Sequence, residues 1–210
     1  MAPGRPAASA GDAAPALRAV ILAGGAGSRM SPLGSEPESK AAVDLAGRPL
    51  ASYPIAAARL AGLAPTLVAK ETSWLPSLGC PVLEEPAEPR HPLTGIVAAL
   101  ERFEEPLVVI ACDVPLVPAE LLTELSHRRA RFAMPIEPRP QPLVARYAPG
   151  LLPRLRRALA DREPLVEVAA SLGGDGLRAA ELRGYGDPEE MFDNVNSPED
   201  LRRVASLLRG

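Results

Sequence analysis

The chain holds few of the residues that mark specialised binding chemistry. Aromatic side chains make up only 3% of its 210 residues, which argues against a base-stacking platform for single-stranded nucleic acid. Positive charge is not in excess: the formal net charge is −3, so no broad face for a phosphate backbone is expected. Cysteine occurs only at Cys80 and Cys112, with no CxxC pair and no histidine at ligand spacing. Reduced, buried thiols in a cytosolic protein are therefore expected, although spacing alone leaves a bond between the two open. His91 and His127 stand far apart without partners and read as surface or capping residues rather than catalysts. No stretch approaches the ~20 apolar residues of a membrane-spanning helix. Residues 1–17 are rich in Ala, Pro and Gly and lack the apolar core of a signal peptide. A disordered tail is expected there, followed by a single domain over 18–210 in a cytoplasmic protein with no membrane or nucleic-acid partner.

Lysine and asparagine are scarce as well. Lys40 and Lys70 are the only lysines, every other basic side chain being arginine, and Asn194 and Asn196 are the only asparagines. In a chain that prefers Arg, Ala and Pro throughout, such residues stand out as candidates for chemistry.

What is present is an alternation of strands and helices. Arg18 to Ala23 reads as a buried strand, Pro49 to Ala61 as a helix, and Pro65 to Ala69 and Pro81 to Leu83 as further strands. Thr94 to Phe103 reads as a helix capped by Thr94. Leu107 to Ala111 is continuous and apolar, as a central parallel strand should be. A helix over Pro118–Arg129, strands at Arg131–Pro135 and Pro142–Ala145, and helices over Pro149–Ala160 and Pro164–Leu172 follow. Residues 135–142 read as a surface loop or hairpin near the site. The last helix, Pro198 to Leu208, has Ser197 as N-cap and Pro198 in its first turn. The pattern predicts an α/β fold with a mainly parallel sheet.

Three segments point to chemistry. The first runs Val20-Ile21-Leu22-Ala23-Gly24-Gly25-Ala26-Gly27-Ser28-Arg29-Met30, with Lys40 beyond it. The strand stops, glycines let backbone N–H groups approach an anion, and Arg29 and Lys40 add positive charge. This is not a P-loop, which ends in Gly-Lys-Ser/Thr, and Met30 stands where a dinucleotide loop needs its third glycine. An ordinary Gly-rich turn is the plainer alternative. The second is Cys112-Asp113-Val114-Pro115, with Asp113 just past the central strand, where ligands bind in open α/β sheets. A carboxylate there suits Mg²⁺, which takes few carboxylates plus phosphate oxygens and water; a turn-capping Asp is the alternative. The third is Asn194-Val195-Asn196-Ser197-Pro198-Glu199-Asp200, an efficient helix start in which Asn194 and Asn196 alternate and so can face one side. Glu84-Glu85 is either a solvated acidic loop or the source of a carboxylate able to accept the N1–H and N2–H₂ donors of a guanine edge.

Leu22-Ala23-Gly24-Gly25 with Arg29, Met30 and Lys40, then Gly47-Arg48-Pro49-Leu50, resembles the opening of nucleotidyltransferases. Cys112-Asp113-Val114-Pro115, Gln141-Pro142-Leu143-Val144-Ala145-Arg146-Tyr147 and Asn194 to Asp200 narrow the resemblance to the molybdenum cofactor guanylyltransferases. That resemblance implies a Rossmann-like three-layer fold of the nucleotide-diphospho-sugar transferase type. It implies transfer of GMP from GTP to the phosphate of molybdopterin, with release of pyrophosphate. Leu22, Ala23, Gly24, Gly25, Gly27 and Ser28 would then contact the nucleotide, and Lys40 and Arg29 its phosphates. Glu85 would meet guanine, Asp113 would hold Mg²⁺, and Asn194 and Asn196 would lie near the acceptor phosphate or the metal. A cofactor-insertion chaperone or a molybdoenzyme is implied as partner by the resemblance alone.

The chain departs from the family pattern in three places. Residues 30–39 make the interval between Arg29 and Lys40 longer than usual, and Ser31-Pro32-Leu33 within it is more like sugar-1-phosphate nucleotidyltransferases. Ala69 and Lys70 stand where the family has an asparagine, and Glu85 stands in place of an aspartate. A transferase acting on a sugar 1-phosphate or other phosphorylated metabolite is thus the nearest alternative. A nucleotide-binding module without catalysis is the more distant one.

Overall fold

The structure, a computed structural model, describes residues 17–23, 39–70 and 75–209. The described strands are β1 (Arg18–Leu22), β2 (Asp44–Leu45), β3 (Arg48–Pro49), β4 (Ala64–Ala69), β5 (Val82–Glu84), β6 (Leu107–Ala111), β7 (Phe132–Pro135), β8 (Val144–Tyr147) and β9 (Asp175–Leu177). The helices are α1 (Ser52–Leu60), α2 (Pro92–Phe103), α3 (Ala119–His127), α4 (Leu152–Ala160), α5 (Leu165–Ser171), α6 (Ala179–Leu182), α7 (Pro188–Met191) and α8 (Pro198–Leu207).

Apolar on both faces, β6 must be covered on both, and all five of its residues are buried. It lies inside a seven-stranded sheet of order β5-β4-β1-β6-β8-β7-β9. The first four strands run parallel, with Leu22 of β1 in register with Val68 of β4 and Ala111 of β6. Their C-terminal ends therefore share one edge of the sheet. The sheet is mixed beyond β6: β8 runs antiparallel to β6 and to β7, and β9 parallel to β7.

Alternate side chains serve two layers, as the two-residue strand period demands. Ile21, Leu67 and Ile110 pack with Ile55 of α1 and Leu121 and Leu125 of α3. Val20, Val68 and Val109 pack with Ile96 and Leu100 of α2 and Leu155 of α4. Each such fully buried aliphatic contributes about 1.5–3 kcal/mol relative to exposure. A third, smaller cluster joins Leu45 and Leu50 beside the β2–β3 hairpin to Val195 and to Val204 of α8.

Several boundaries differ from the sequence expectation for identifiable reasons. The helix expected from Pro49 starts at Ser52, because Arg48 and Pro49 pair with Asp44 and Leu45 instead. Ala46 and Gly47 both take positive φ (52° and 84°), as a two-residue hairpin turn requires. Helix α2 starts at Pro92, and its cap is His91, not Thr94: Leu93 N–H donates to His91 Nδ1 at 3.1 Å. Thr94 lies inside the helix and donates to the Pro89 carbonyl. The strand expected from Pro142 starts at Val144, and the segment before it forms a hairpin loop with β7. Strand β9 and helices α6 and α7 had no forecast; each is three or four residues long, too short to show a period.

Arg146 of β8 is fully buried, donating to the carbonyls of Ala130 and Ser126. Beside it, the Tyr147 hydroxyl donates to the Pro142 carbonyl at 2.8 Å, and its ring meets that of Phe132 at 5.0 Å. Tyr147→Phe should leave that buried carbonyl unpartnered and cost about 1–3 kcal/mol. The check is urea unfolding, with a lower midpoint and an unchanged m-value.

Candidate active site

The shared edge of the parallel strands is where the candidate residues collect. At the end of β1 the Leu22 carbonyl accepts the Cys112 N–H at 3.0 Å, and the Ala23 N–H donates to the Val68 carbonyl at 2.8 Å. These two atoms of Leu22 and Ala23 are thus committed to the ladder. β1 ends between β4 and β6. Gly24, Gly25, Gly27, Ser28 and Arg29 lie outside the described residues.

Lys40 opens a 3₁₀ turn over Lys40–Ala42 whose second residue, Ala41, is buried. The Ala51 N–H donates to the Ala41 carbonyl and the Leu50 N–H to the Val43 carbonyl, so the turn is bound to the start of α1. The Lys40 Nζ lies 2.6 Å from Asp113 Oδ2 and 2.6 Å from Asn196 Oδ1. Asp113 follows β6, and its carbonyl accepts the Val195 N–H at 2.8 Å. That bond and the burial of Val195 against Leu45 and Leu50 bring the segment before α8 to the end of β6. The Lys40 and Asp113 side chains are only 11% and 21% exposed, so water screens this charge-assisted contact less than it would at an open surface.

Asn196 is oriented by the helix that follows. Its N–H donates to Asp200 Oδ2, which also accepts the Ser197 hydroxyl, while the Asp200 N–H donates to Ser197 Oγ. The N–H bonds Asp200 accepts, that of Asn196 foremost, hold its carboxyl below the ordinary aspartate range. Ser197 and Pro198 start α8 as the sequence predicts. Only Asn196 joins the cluster; the half-buried Asn194 makes no side-chain hydrogen bond among the described residues.

Glu85 lies on the other side of β1. It follows β5, its N–H donates to the Ala69 carbonyl, and its side chain is buried at 7% exposure. It is not a solvated loop residue; Glu84, beside it, is the exposed one. Burial pushes the Glu85 carboxyl above the ordinary glutamate value, and the Lys70 ammonium, 3.8 Å from Oε1, offsets this only in part. Gly95 in the first turn of α2 makes room for it. A Cβ there would stand 2.7 Å from Glu85 Oε2 and 2.9 Å from Leu22 Cδ2, a clash at both. Gly95 thus lets Glu85 Oε2 and the Leu22 side chain both approach the start of α2.

Two residues gain meaning only in the structure. Gln141, the one glutamine of the chain, is buried at the hairpin loop, and its Nε2 has no hydrogen-bond partner. Rarity was the signal that could have singled it out. Lys70, visible as one of two lysines, becomes Glu85's neighbour. Both cysteines are free, but only Cys112 is fully buried and Cys80 is half-exposed, against the expectation for both. Burial first, and then the Asp113 carboxylate, push the Cys112 thiol up to about 12, so it stays protonated beside the site.

Known proteins share sequence and fold with this chain. A family model described as "MobA-like NTP transferase domain" matches residues 19–173. The molybdenum cofactor guanylyltransferase of Cereibacter sphaeroides is 32% identical over 202 residues, covering 92% of this chain and 97% of that protein. That of Rhodobacter capsulatus is 33% identical over 204 residues, with the same coverage of 92% and 97%. Among solved structures, molybdopterin-guanine dinucleotide biosynthesis protein A from Archaeoglobus fulgidus superposes with a TM-score of 0.74 at 24% identity, covering 91% of this chain and 98% of that one. The inositol-1-phosphate CTP transferase from T. maritima gives 0.67 at 18% identity, covering 94% and 96%. Both likenesses speak for the fold.

The raised pKa of Glu85 has a sign that can be tested. Its charged form is disfavoured in the fold, so relative to an unfolded glutamate, ionising near pH 4.3 or about there, it lowers stability as pH rises through that window. Glu85→Gln should therefore raise Tm at pH 7.5 without ligand, and the gain over wild type should vanish towards pH 4. Thermal melts of the two proteins across pH 4–8 give the comparison.

Proposed function

The chain belongs to the MobA-like NTP transferase family and is a nucleotidyltransferase; from that premise we propose that it transfers GMP from GTP to the terminal phosphate of molybdopterin. The observation that carries this reading is the Lys40–Asp113–Asn196 cluster, held at 2.6 Å contacts at the strand ends. An acceptor phosphate oxygen attacks the α-phosphorus in line with the leaving group. A new P–O bond forms, the bond from the α-phosphorus to the bridging oxygen breaks, and pyrophosphate departs with that electron pair. No protein nucleophile is needed, so positioning and charge neutralisation account for catalysis.

Lys40 supplies an ammonium that exchanges its bond to Asp113 for one to a phosphate oxygen. Arg29 and the glycine loop, Gly24, Gly25, Gly27 and Ser28, supply further donors to the phosphates. Asn196 faces the acceptor. Glu85 accepts from the guanine edge. Asp113 Oδ2 and Asn196 Oδ1 converge on one ammonium, which is how oxygen ligands converge on a cation. No cluster of three or more Asp, Glu, His or Cys occurs among the described residues. This donor set fits Mg²⁺, which takes one or two carboxylates and completes its shell with phosphate oxygens and water. Asp113 and Asn196 would hold the ion, and its charge would offset that of the phosphates. Family membership supports the guanylyl and pterin assignment through the names of the relatives.

The test is pyrophosphate release with each NTP, offered molybdopterin or a panel of sugar 1-phosphates, with and without Mg²⁺. Release with GTP and molybdopterin is the expected result. Release only with a sugar phosphate would move the acceptor to the alternative that the interval 30–39 suggests, and release with no acceptor would leave nucleotide binding alone. Lys40→Ala and Asp113→Asn should each lose roughly 10²–10³-fold in kcat with unchanged circular dichroism. Removing Mg²⁺ with EDTA should weaken GTP binding by wild type far more than by Asp113→Asn.

A further inference from the structure

We infer that Lys70 is a specificity-determining residue, which with Glu85 presents to the base a row of one donor and two acceptors that only guanine complements. The inference rests on the guanylyl-donor reading above. Lys70 follows β4 and Glu85 follows β5, so both stand at the strand ends on the side of β1 away from Asp113. Counting β5, β4, β1 and β6, Glu85 and Asp113 are three strand spacings apart, about 14 Å. A nucleotide laid across the strand ends places its base at one and its phosphates at the other.

The Lys70 ammonium is held in orientation by two carbonyls, Pro86 at 2.9 Å and Pro89 at 3.4 Å. The Pro89 carbonyl also accepts the Thr94 hydroxyl at 2.7 Å, which fixes it to α2. Glu85 Oε1, at 3.8 Å, is beyond hydrogen-bond distance. Among the described residues two carbonyls thus take two of the three ammonium N–H bonds, which leaves one for a ligand. Oε1 is the carboxylate oxygen near Nζ, and Oε2 is the one near Gly95.

Donor, acceptor, acceptor is the hydrogen-bonding order of cytosine's pairing edge. Its complement is guanine, with O6 as acceptor and N1–H and N2–H₂ as donors. Adenine puts an amino group against the ammonium and a bare N1 lone pair against the carboxylate. Uracil puts O2 against the second carboxylate oxygen, and cytosine repeats the row instead of matching it. A partly buried ammonium facing an amino group leaves both donors unpaired, which is what makes a polar site selective. The carboxylate also gains the hydrogen bonds its burial denies it in the free protein.

Dissociation constants for GTP, ITP and ATP, measured by calorimetry on the full chain, separate the two side chains. ITP lacks only the 2-amino group, so the GTP/ITP ratio reports Glu85. ATP also replaces O6, so the GTP/ATP ratio reports Lys70 as well. Lys70→Met should cut the GTP/ATP ratio roughly tenfold to a hundredfold and leave the GTP/ITP ratio as in wild type; Lys70→Arg should restore most of the loss. Glu85→Gln should lower the GTP/ITP ratio. If Lys70→Met does not fold, Lys70→Gln, which keeps an N–H for the carbonyls and loses the charge, carries the same test. Both ratios falling together in the Lys70 variant, or neither changing, would show that Lys70 only holds the loop and would overturn the inference. Wild-type preference for guanine in that case would leave the donor reading standing; wild-type preference for another base would overturn both.

Discussion

The pairing of β1 with β4 on one side and β6 on the other is the constraint from which the site follows. Both partners run parallel to it and in register, Leu22 meeting Val68 and Ala111. A strand buried on both faces has no side on which to place polar groups, so they can only follow its end. Three chains therefore leave the sheet together at one edge. The polar residues just beyond β4 and β6, Lys70 and Asp113, share that edge without any further instruction. Helix α2 covers the edge from one layer, with Gly95 small enough to let Glu85 in.

The second requirement is to bring a lysine and an asparagine, far apart in sequence, to Asp113. A cluster of four fully buried side chains does this: Leu45, Leu50, Val195 and Val204. It fastens the hairpin after Lys40 to the start of α8, and the Val195–Asp113 backbone bond sets the height. Lys40 then balances the carboxylate charge at a place where water is partly excluded. The arrangement is polar, but Asp113 and Asn196 both partner the Lys40 ammonium, which is why it can sit at the rim of a hydrophobic core without destabilising it.

Much of this was legible in the sequence because it rests on local signals. LVVIA at 107–111 predicts a central strand to the residue, and Ser197-Pro198 predicts the start of α8. Lys40, Asp113 and Asn196 were singled out by rarity, by position after a strand and by resemblance, and the structure brings those three together. Asn194 was paired with Asn196 on a two-residue period that holds only for a regular strand, and the segment is not one. Glu85 was chosen on resemblance, but its burial depends on Gly95, ten residues on, which no local pattern reveals. The Lys70–Glu85 approach and the orphaned Gln141 amide are tertiary facts. The antiparallel turn of β8 is likewise set by its partners and not by its own residues.

The two bonds of Lys40 close loops of 73 and 156 residues. Loop closure on that scale costs chain entropy that only a formed core can offset. The sheet and the small cluster under α8 must therefore exist before the ammonium finds its partners. The cluster depends on α8, whose Val204 packs with Leu45 and Leu50, and is lost if α8 detaches. A half-made molecule has strands and glycines but not the constellation, so the chemistry is reserved for chains that have folded from end to end.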